Sequence, residues 1–180
     1  MVRMPKPTST PRPARRRAFT LVEILIVVVV IATVAVAAIP AVSATLDDMK
    51  ITALARELAT DMRYAQALAV KTGIRHRISF EPSNEAGSDA NEVGYSVESE
   101  EGSAWEQCTH PLTKTAWSVS LDDKSRYAGL DLTKSVFGSS SYLYYDRYGA
   151  PVSGGAVVLT LGDITRTISV APLSGKVTVE

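Results

Sequence analysis

The stretch that decides the fold is residues 15–25, which read Arg-Arg-Arg-Ala-Phe-Thr-Leu-Val-Glu-Ile-Leu. Three arginines end abruptly, and an aliphatic run begins that carries one carboxylate, Glu23, near its start. A membrane anchor does not require this acid. Because an ionisable side chain well inside lipid costs about 2.5–3.5 kcal/mol on insertion scales, we interpret Glu23 as a functional residue.

Charge is distributed unevenly along the 180 residues. The formal net charge is zero, but residues 1–18 hold six basic residues and no acid, and their proline-rich composition predicts an extended, disordered leader. The remaining residues carry 13 basic and 19 acidic side chains, a net charge of −6. Nucleic-acid modules are usually basic, so this balance argues against one. The length fits one modest domain plus an anchor.

Residues 24–46 form an uncharged stretch of 23 residues. About 20 helical residues cover the hydrocarbon core of a bilayer, so this stretch predicts a single membrane span. The basic cluster before it places the N-terminus in the cytoplasm and the remainder outside. A cleaved secretory signal, with its cut near residues 35–37, is the alternative. It is disfavoured because the apolar run exceeds the roughly 7–15 residues of such signals.

One long helix is predicted from Phe19 to about Thr72, and Gly73 should end it. Pro40 should bend or loosen this helix, because proline removes a backbone hydrogen bond. Beyond Pro40, apolar residues recur at spacings of three and four and predict one buried stripe. The stripe consists of Ile51, Leu54, Leu58, Met62, Ala65 and Ala69. The charged residues assigned to the other faces are Asp48, Arg56, Glu57, Asp61, Arg63 and Lys71.

From residue 74 onward the sequence predicts β-strands. Residues 74–80 and 93–97 alternate apolar and polar side chains around a polar loop, so they predict a hairpin. Further strand-like segments lie at 105–109, 117–121, 135–137, 143–145, 156–161, 165–170 and 176–179. The segments 156–161 and 165–170 flank Gly162-Asp163 and predict a second, tight hairpin. The expected fold class is therefore α+β, with the amphipathic half of the helix covering one face of a single antiparallel sheet.

Residues 17–25 resemble the class III signal of type IV pilins and type II secretion pseudopilins. The resemblance implies a pilin-like fold and a membrane prepilin peptidase that cuts between Ala18 and Phe19 and methylates the new Phe19 amine. It also places the family's acid on Glu23 and its helix-bending proline on Pro40. The family normally carries glycine before the phenylalanine, and Ala18 departs from that pattern.

A cut before Phe19 would give Glu23 a partner. The new α-amino group is a cation four residues before the carboxylate, and it could pair within one chain or across neighbouring chains. Buried charges persist mainly when they are paired. We therefore predict that Glu23 neutralises a Phe19 amine and fixes the register between packed helices during filament assembly.

The C-terminal part is similar to the GspH/FimT group of minor pseudopilins, over residues 145–149, 157–162, 166–170 and 173–177. DNA-binding members of the FimT branch resemble one another in a Gly-Arg-x-Arg pattern. The equivalent here is Gly-Lys-Val-Thr at residues 175–178, with one cation instead of two. Lysine acts as a point charge, whereas arginine clamps phosphate with two bonds. Lys176 and Arg166 are therefore candidate weak DNA contacts, and nucleic acid is not an expected partner.

Signals for catalysis are missing from the sequence. It has no glycine-rich phosphate loop and no hydrolase triad motif. Cys108 is the single cysteine, so no intrachain disulfide can form. His76 and His110 lack metal-ligand spacing. We expect neither enzyme activity nor a cofactor nor a metal; calcium in the loops at 88–92 or 120–124 is the weaker alternative.

The sequence thus predicts a minor pseudopilin or minor pilin, held in the inner membrane and later part of a periplasmic filament. Residues 1–18 are a cleaved leader, 19–45 a transmembrane and filament-core half-helix, 46–73 an amphipathic half-helix, and 74–180 a periplasmic β domain. The expected partners are prepilin peptidase, other pilin subunits, the inner-membrane assembly platform and membrane lipid. The alternatives are a FimT-like minor pilin that binds DNA for uptake and an unrelated single-span periplasmic binding protein.

Overall fold

The computed structural model describes residues 19–81, 93–121 and 126–180, with the backbone alone described at 37–42. The predicted leader, the loop at 88–92 and most of the loop at 120–124 lie outside these residues. The chain divides into two compact units, Met1–Val42 and Ser43–Glu180. The elements are α1 (Leu21–Thr72), β1 (His76–Glu81), β2 (Gly94–Glu101), β3 (Ala104–Gln107), β4 (Ser118–Ser120), β5 (Leu130–Phe137), β6 (Tyr142–Tyr145), β7 (Gly155–Leu161), β8 (Ile164–Val170) and β9 (Val177–Val179).

The long helix is confirmed as α1, which begins two residues after the predicted start and ends at the predicted Thr72. Gly73 follows it, and its amide donates a hydrogen bond to the Ala69 carbonyl at 2.9 Å. Among the described residues, no helix is both long enough and apolar enough to cross a membrane.

The predicted apolar stripe of α1 is buried, with all six side chains at most 1% exposed. Ala55 and Ala59 are buried beside it and widen the stripe. Asp61 was placed on a polar face, and that prediction is wrong, because this residue is only 8% exposed. Asp61 lies three residues after Leu58 and seven after Leu54, so it falls on the stripe itself.

The β region contains two antiparallel sheets, so the prediction of a single sheet is wrong. The first sheet has the order β3-β2-β1-β6, with β4 pairing the free half of the β2 edge, and the second has the order β5-β7-β8-β9. Two sheets form because β6 pairs with β1, whereas β5, which precedes β6 in the chain, pairs with β7. Both predicted hairpins, β1–β2 and β7–β8, are confirmed.

The core lies where the two sheets and the second half of α1 meet. Phe80 of the first sheet stacks on Phe137 of the second, with ring centroids 5.5 Å apart. Trp117 is 1% exposed and packs against Tyr64 of α1 at 5.4 Å between centroids. Both sheets therefore share one core within residues 43–180.

Candidate functional site

Thr20 caps the N-terminus of α1. Its Oγ1 accepts a hydrogen bond from the Glu23 amide at 3.2 Å, and its carbonyl oxygen accepts from the amides of Glu23 and Ile24 at 3.1 and 3.2 Å. A threonine whose hydroxyl accepts from the amide three residues later is a helix N-cap. The spacing Thr-x-x-Glu is that of a capping box, and it is a signal that the sequence analysis missed.

Glu23 lies exposed in the first turn of α1. The positive end of the helix dipole favours a carboxylate there. No cation among the described residues forms an ion pair with it. Phe19, which would carry the predicted amine, is 74% exposed, and Ala18 lies outside the described residues. The cleavage and the charge pair therefore stay predictions.

The helix around Glu23 is apolar on every side. Its exposed aliphatic residues are Leu21, Val22, Ile24, Leu25, Ile26, Val27, Val28, Val29, Val30, Ile31, Val34 and Val36. A helix with no polar face is stable only when lipid or neighbouring protein covers it. Glu23 is the only charged residue from Phe19 to Val36, so the cover must also accommodate one carboxylate.

Pro40 lies inside α1, and its side chain is outside the described part of the chain. The bend that the sequence predicts at this residue therefore stays a prediction.

A buried carboxylate attaches α1 to the first sheet. Asp61 accepts hydrogen bonds from the Tyr95 hydroxyl at 2.8 Å and from Trp117 Nε1 at 3.2 Å. Burial, together with the neighbouring Asp61 charge, raises the pKa of Tyr95 far above its usual value, so this hydroxyl stays a donor. These three residues lie far apart in sequence, so their contact could not be predicted. The position of Asp61 on the apolar stripe could have predicted its burial.

Gln66 attaches α1 to two turns. Its Nε2 donates to the Gly149 carbonyl at 2.7 Å and to the Ser174 carbonyl at 3.1 Å. Gly149 has a φ of +79°, and a Cβ there would lie 2.6 Å from a Val70 methyl, so glycine lets this turn reach the helix. The Gln66 amide thus bonds two of the four segments that resemble pseudopilins, those at residues 145–149 and 173–177.

The structure does not bring Arg166 and Lys176 together. Arg166 forms an ion pair with Asp48 of α1 and donates to the Thr165 carbonyl at 3.0 Å. Lys176 is exposed and pairs through its backbone with Ala171. Ala171 lies five residues after Arg166, which is about 16 Å along an extended strand. The two candidate DNA contacts therefore do not form one patch.

Reactive groups are sparse in the described part of the chain. Cys108 is half-buried, and burial raises the pKa of its thiol, which makes it a poorer nucleophile. His76 is buried, and burial lowers its pKa, so the neutral ring is favoured. Within the described residues, no group of three or more His, Cys, Asp or Glu side chains could hold a metal ion.

Comparison with known proteins assigns the family. The profile described as "Type II transport protein GspH" matches residues 54–174, and the profile described as "Prokaryotic N-terminal methylation motif" matches residues 13–39. The chain belongs to the GspH family. No curated protein sequence matches it.

Two solved structures with a similar fold are a minor pseudopilin and a minor pilin. The minor pseudopilin EpsH from the type 2 secretion system of Vibrio cholerae has a TM-score of 0.53 at 10% identity, over 72% of this chain and 94% of that one. The type IV minor pilin FimU of Pseudomonas aeruginosa has a TM-score of 0.49 at 19% identity, over 74% of this chain and 90% of that one. The similarity to EpsH confirms the pilin-like α+β fold.

The GspH match includes the residues that attach α1 to the β region. It runs from Leu54 through Asp61 and Gln66 to the turn at Ser174. The methylation motif includes Phe19 and Glu23, and these residues lie before the GspH domain. The two halves of α1 thus carry different parts of the family signature.

Proposed function

We propose that this GspH-family protein is a minor pseudopilin or minor pilin subunit with a structural, non-enzymatic role. The observation that carries the proposal is Glu23, a single acid in an otherwise uncharged, exposed aliphatic part of α1 that lies within the methylation motif. An apolar helix of this kind needs a lipid or protein cover. Before assembly the cover is the inner membrane, and afterwards it is the helices of neighbouring filament subunits.

Processing supplies the charge that Glu23 requires. Prepilin peptidase removes residues 1–18 and methylates the new Phe19 amine. This amine lies one residue before the Thr20 cap, where the positive end of the helix dipole disfavours a cation. The Glu23 carboxylate offsets that cost, either on its own chain or on a neighbour, because a charge transferred into an apolar medium is tolerated mainly in a pair.

The remaining assignments follow from this cycle. Residues 19–45 anchor the unassembled subunit as a single span, with residues 74–180 in the periplasm. The inner-membrane assembly platform then moves the subunit from lipid into the filament. The bend at Pro40 adapts the half-helix to filament packing, because proline interrupts the backbone hydrogen-bond ladder.

DNA uptake is not favoured by the contacts of the candidate cations. The Arg166 guanidinium is engaged by Asp48, and Lys176 lies too far along the sheet to share one phosphate with it. The alternative of an unrelated single-span binding protein is replaced by membership in the GspH family.

Mass spectrometry of the mature N-terminus tests the processing step. The full chain is produced in cells with an active prepilin peptidase and, as the control, in cells that lack it. We expect an N-methylated Phe19 in the first case and the intact leader in the second. An intact leader despite the active peptidase, or a cut after Ala37, would refute the proposal.

Charge removal tests the assembly step. Glu23→Ala should leave membrane insertion and cleavage intact and abolish incorporation into filaments, whereas Glu106→Ala, which removes an exposed acid of the β region, should leave all three unchanged. The measurements are membrane fractionation, the mature mass and the subunit content of sheared filaments. Normal incorporation of the Glu23→Ala protein would contradict the charge-pairing role.

A further inference from the structure

Three exposed apolar side chains lie on two neighbouring turns of the β region. Tyr148, Val152 and Leu173 are 80%, 70% and 89% exposed, and we call them the turn patch. Isolated exposed apolar residues are ordinary, but a group of them on one rigid surface marks an interaction site.

The turn patch rests on a fixed backbone. Both of its turns bond to the same Gln66 amide, so they meet at one point on α1. The Asp146 carboxylate accepts hydrogen bonds from the amides of Tyr148 and Ala150, both at 2.8 Å, which closes the first turn. A partner therefore meets these side chains with little loss of backbone freedom, which favours affinity.

Leu173 indicates that the patch is selected for something other than folding. Its φ is +70°, a region that glycine or asparagine adopts more easily than leucine. The side chain also gains no burial in this chain, because it is 89% exposed. A residue whose backbone strain is not offset by burial of its side chain indicates a functional role.

Two exposed cations lie in the same turns as the turn patch. Arg147 directly precedes Tyr148, and Lys176 is three residues after Leu173. Arg63 of α1 donates to the carbonyl of Val177, the residue after Lys176, at 3.0 Å. None of these three cations forms an ion pair within the described residues. The acid next to Arg147 in sequence is Asp146, whose carboxylate is engaged by the turn amides.

We propose that the turn patch is a docking surface for another filament subunit that presents carboxylates around an apolar recess. This inference rests on the proposed function, which supplies neighbouring subunits. Apolar anchors at the centre with charged groups at the rim are the arrangement of protein interfaces, and Tyr and Arg are enriched among the residues that carry their affinity. Carboxylates on the partner would complement these cations and favour this partner over others.

A protein partner fits better than a nucleic acid. Val152 and Leu173 gain nothing from contact with phosphate, because nucleic-acid interfaces are polar and strongly basic. The chain without its leader also carries a net charge of −6, which repels a long polyanion. Nucleic acid and lipid are therefore outcomes that would overturn the proposal.

Photo-cross-linking in filament-assembling cells tests the docking surface. The full chain carries the photoreactive residue p-benzoylphenylalanine in place of Tyr148, and the control carries it in place of Leu112, which is equally exposed on a different loop. From position 148 we expect an adduct with an acidic peptide of another subunit that bears a prepilin signal. From position 112 we expect no adduct of the same mass. Adding Arg147→Glu and Lys176→Glu should lower the adduct yield from position 148 at least about tenfold.

Several results would overturn the inference. They are an adduct with nucleic acid or lipid, no adduct, or a yield that the charge reversal does not change. The mature mass of the same samples separates this inference from the proposed function. An unprocessed N-terminus refutes the proposed function, whereas a processed and incorporated subunit without the adduct refutes the docking surface alone.

A second variant separates binding from folding. Leu173→Gly relieves the positive φ, so the melting temperature of the protein should not fall. The same change removes an apolar anchor, and the adduct yield should fall at least about tenfold. An unchanged yield would show that Leu173 does not contribute to docking and would overturn the assignment of the patch.

Discussion

Asp61→Ala removes the acceptor that Tyr95 and Trp117 share beneath α1. Each buried donor left without a partner costs about 1–3 kcal/mol, which gives about 2–6 kcal/mol for the two. Two effects oppose this loss. Alanine is the better helix former by about 0.6 kcal/mol, and the desolvation penalty of the buried carboxylate disappears. We therefore expect the free energy of unfolding to fall by about 2–3 kcal/mol.

Urea unfolding of residues 43–180 measures this loss, because these residues form a compact unit that contains the core. Asp61→Asn keeps an acceptor oxygen in place and should cost less than half as much. In the double variant with Tyr95→Phe, one orphaned donor is absent, so the two costs should not add. An Asp61→Ala protein within about 0.5 kcal/mol of the original would refute the reasoning, as would equal costs for Asn and Ala.

Three further predictions concern the same unit. Gln66→Ala removes two hydrogen bonds and should cost about 1–2 kcal/mol in urea unfolding, while Gln107→Ala on the surface should cost almost nothing. Gly149→Ala should lower the melting temperature more than Gly162→Ala. Both glycines have positive φ, but a Cβ meets a helix methyl at 2.6 Å only at the first and open space at the second. Burial holds the pKa of His76 below its usual value of about 6.5. The free energy of unfolding should therefore be highest above that pH and should decline as the pH falls through the folded pKa. An unchanged urea midpoint between about pH 7.5 and 5 would contradict this.

The sequence predicted the parts of the fold that depend on local periodicity. The helix was predicted to within two residues at its start and to the residue at its end, Thr72. Both ends could be predicted because apolar residues at helical spacing run between them. The β1–β2 and β7–β8 hairpins were predicted because strict alternation and turn residues specify them. The Thr20 cap could have been predicted in the same way from the glutamate three residues later.

Contacts between distant segments could not be predicted. The division into two sheets depends on whether β6 pairs with β1 or with β5, and both choices satisfy the alternation of Leu143 and its neighbours. The partners of Gln66 come from turns 83 and 108 residues away, so no local pattern reveals them. The role of Asp61 was half visible, because its spacing indicated burial but not the hydroxyl and indole that it meets.

Three closely spaced polar attachments of α1 also affect how the β region bears a mechanical load. The bonds start from six consecutive positions of the helix, about 8 Å of its length, at Asp61, Arg63 and Gln66. They lead to the first sheet, to β9 and to the two turns. A pull on the amino-terminal end of α1 therefore loads all of these bonds at nearly the same moment and does not break them one after another. The domain should resist tension up to a threshold and then yield as a whole.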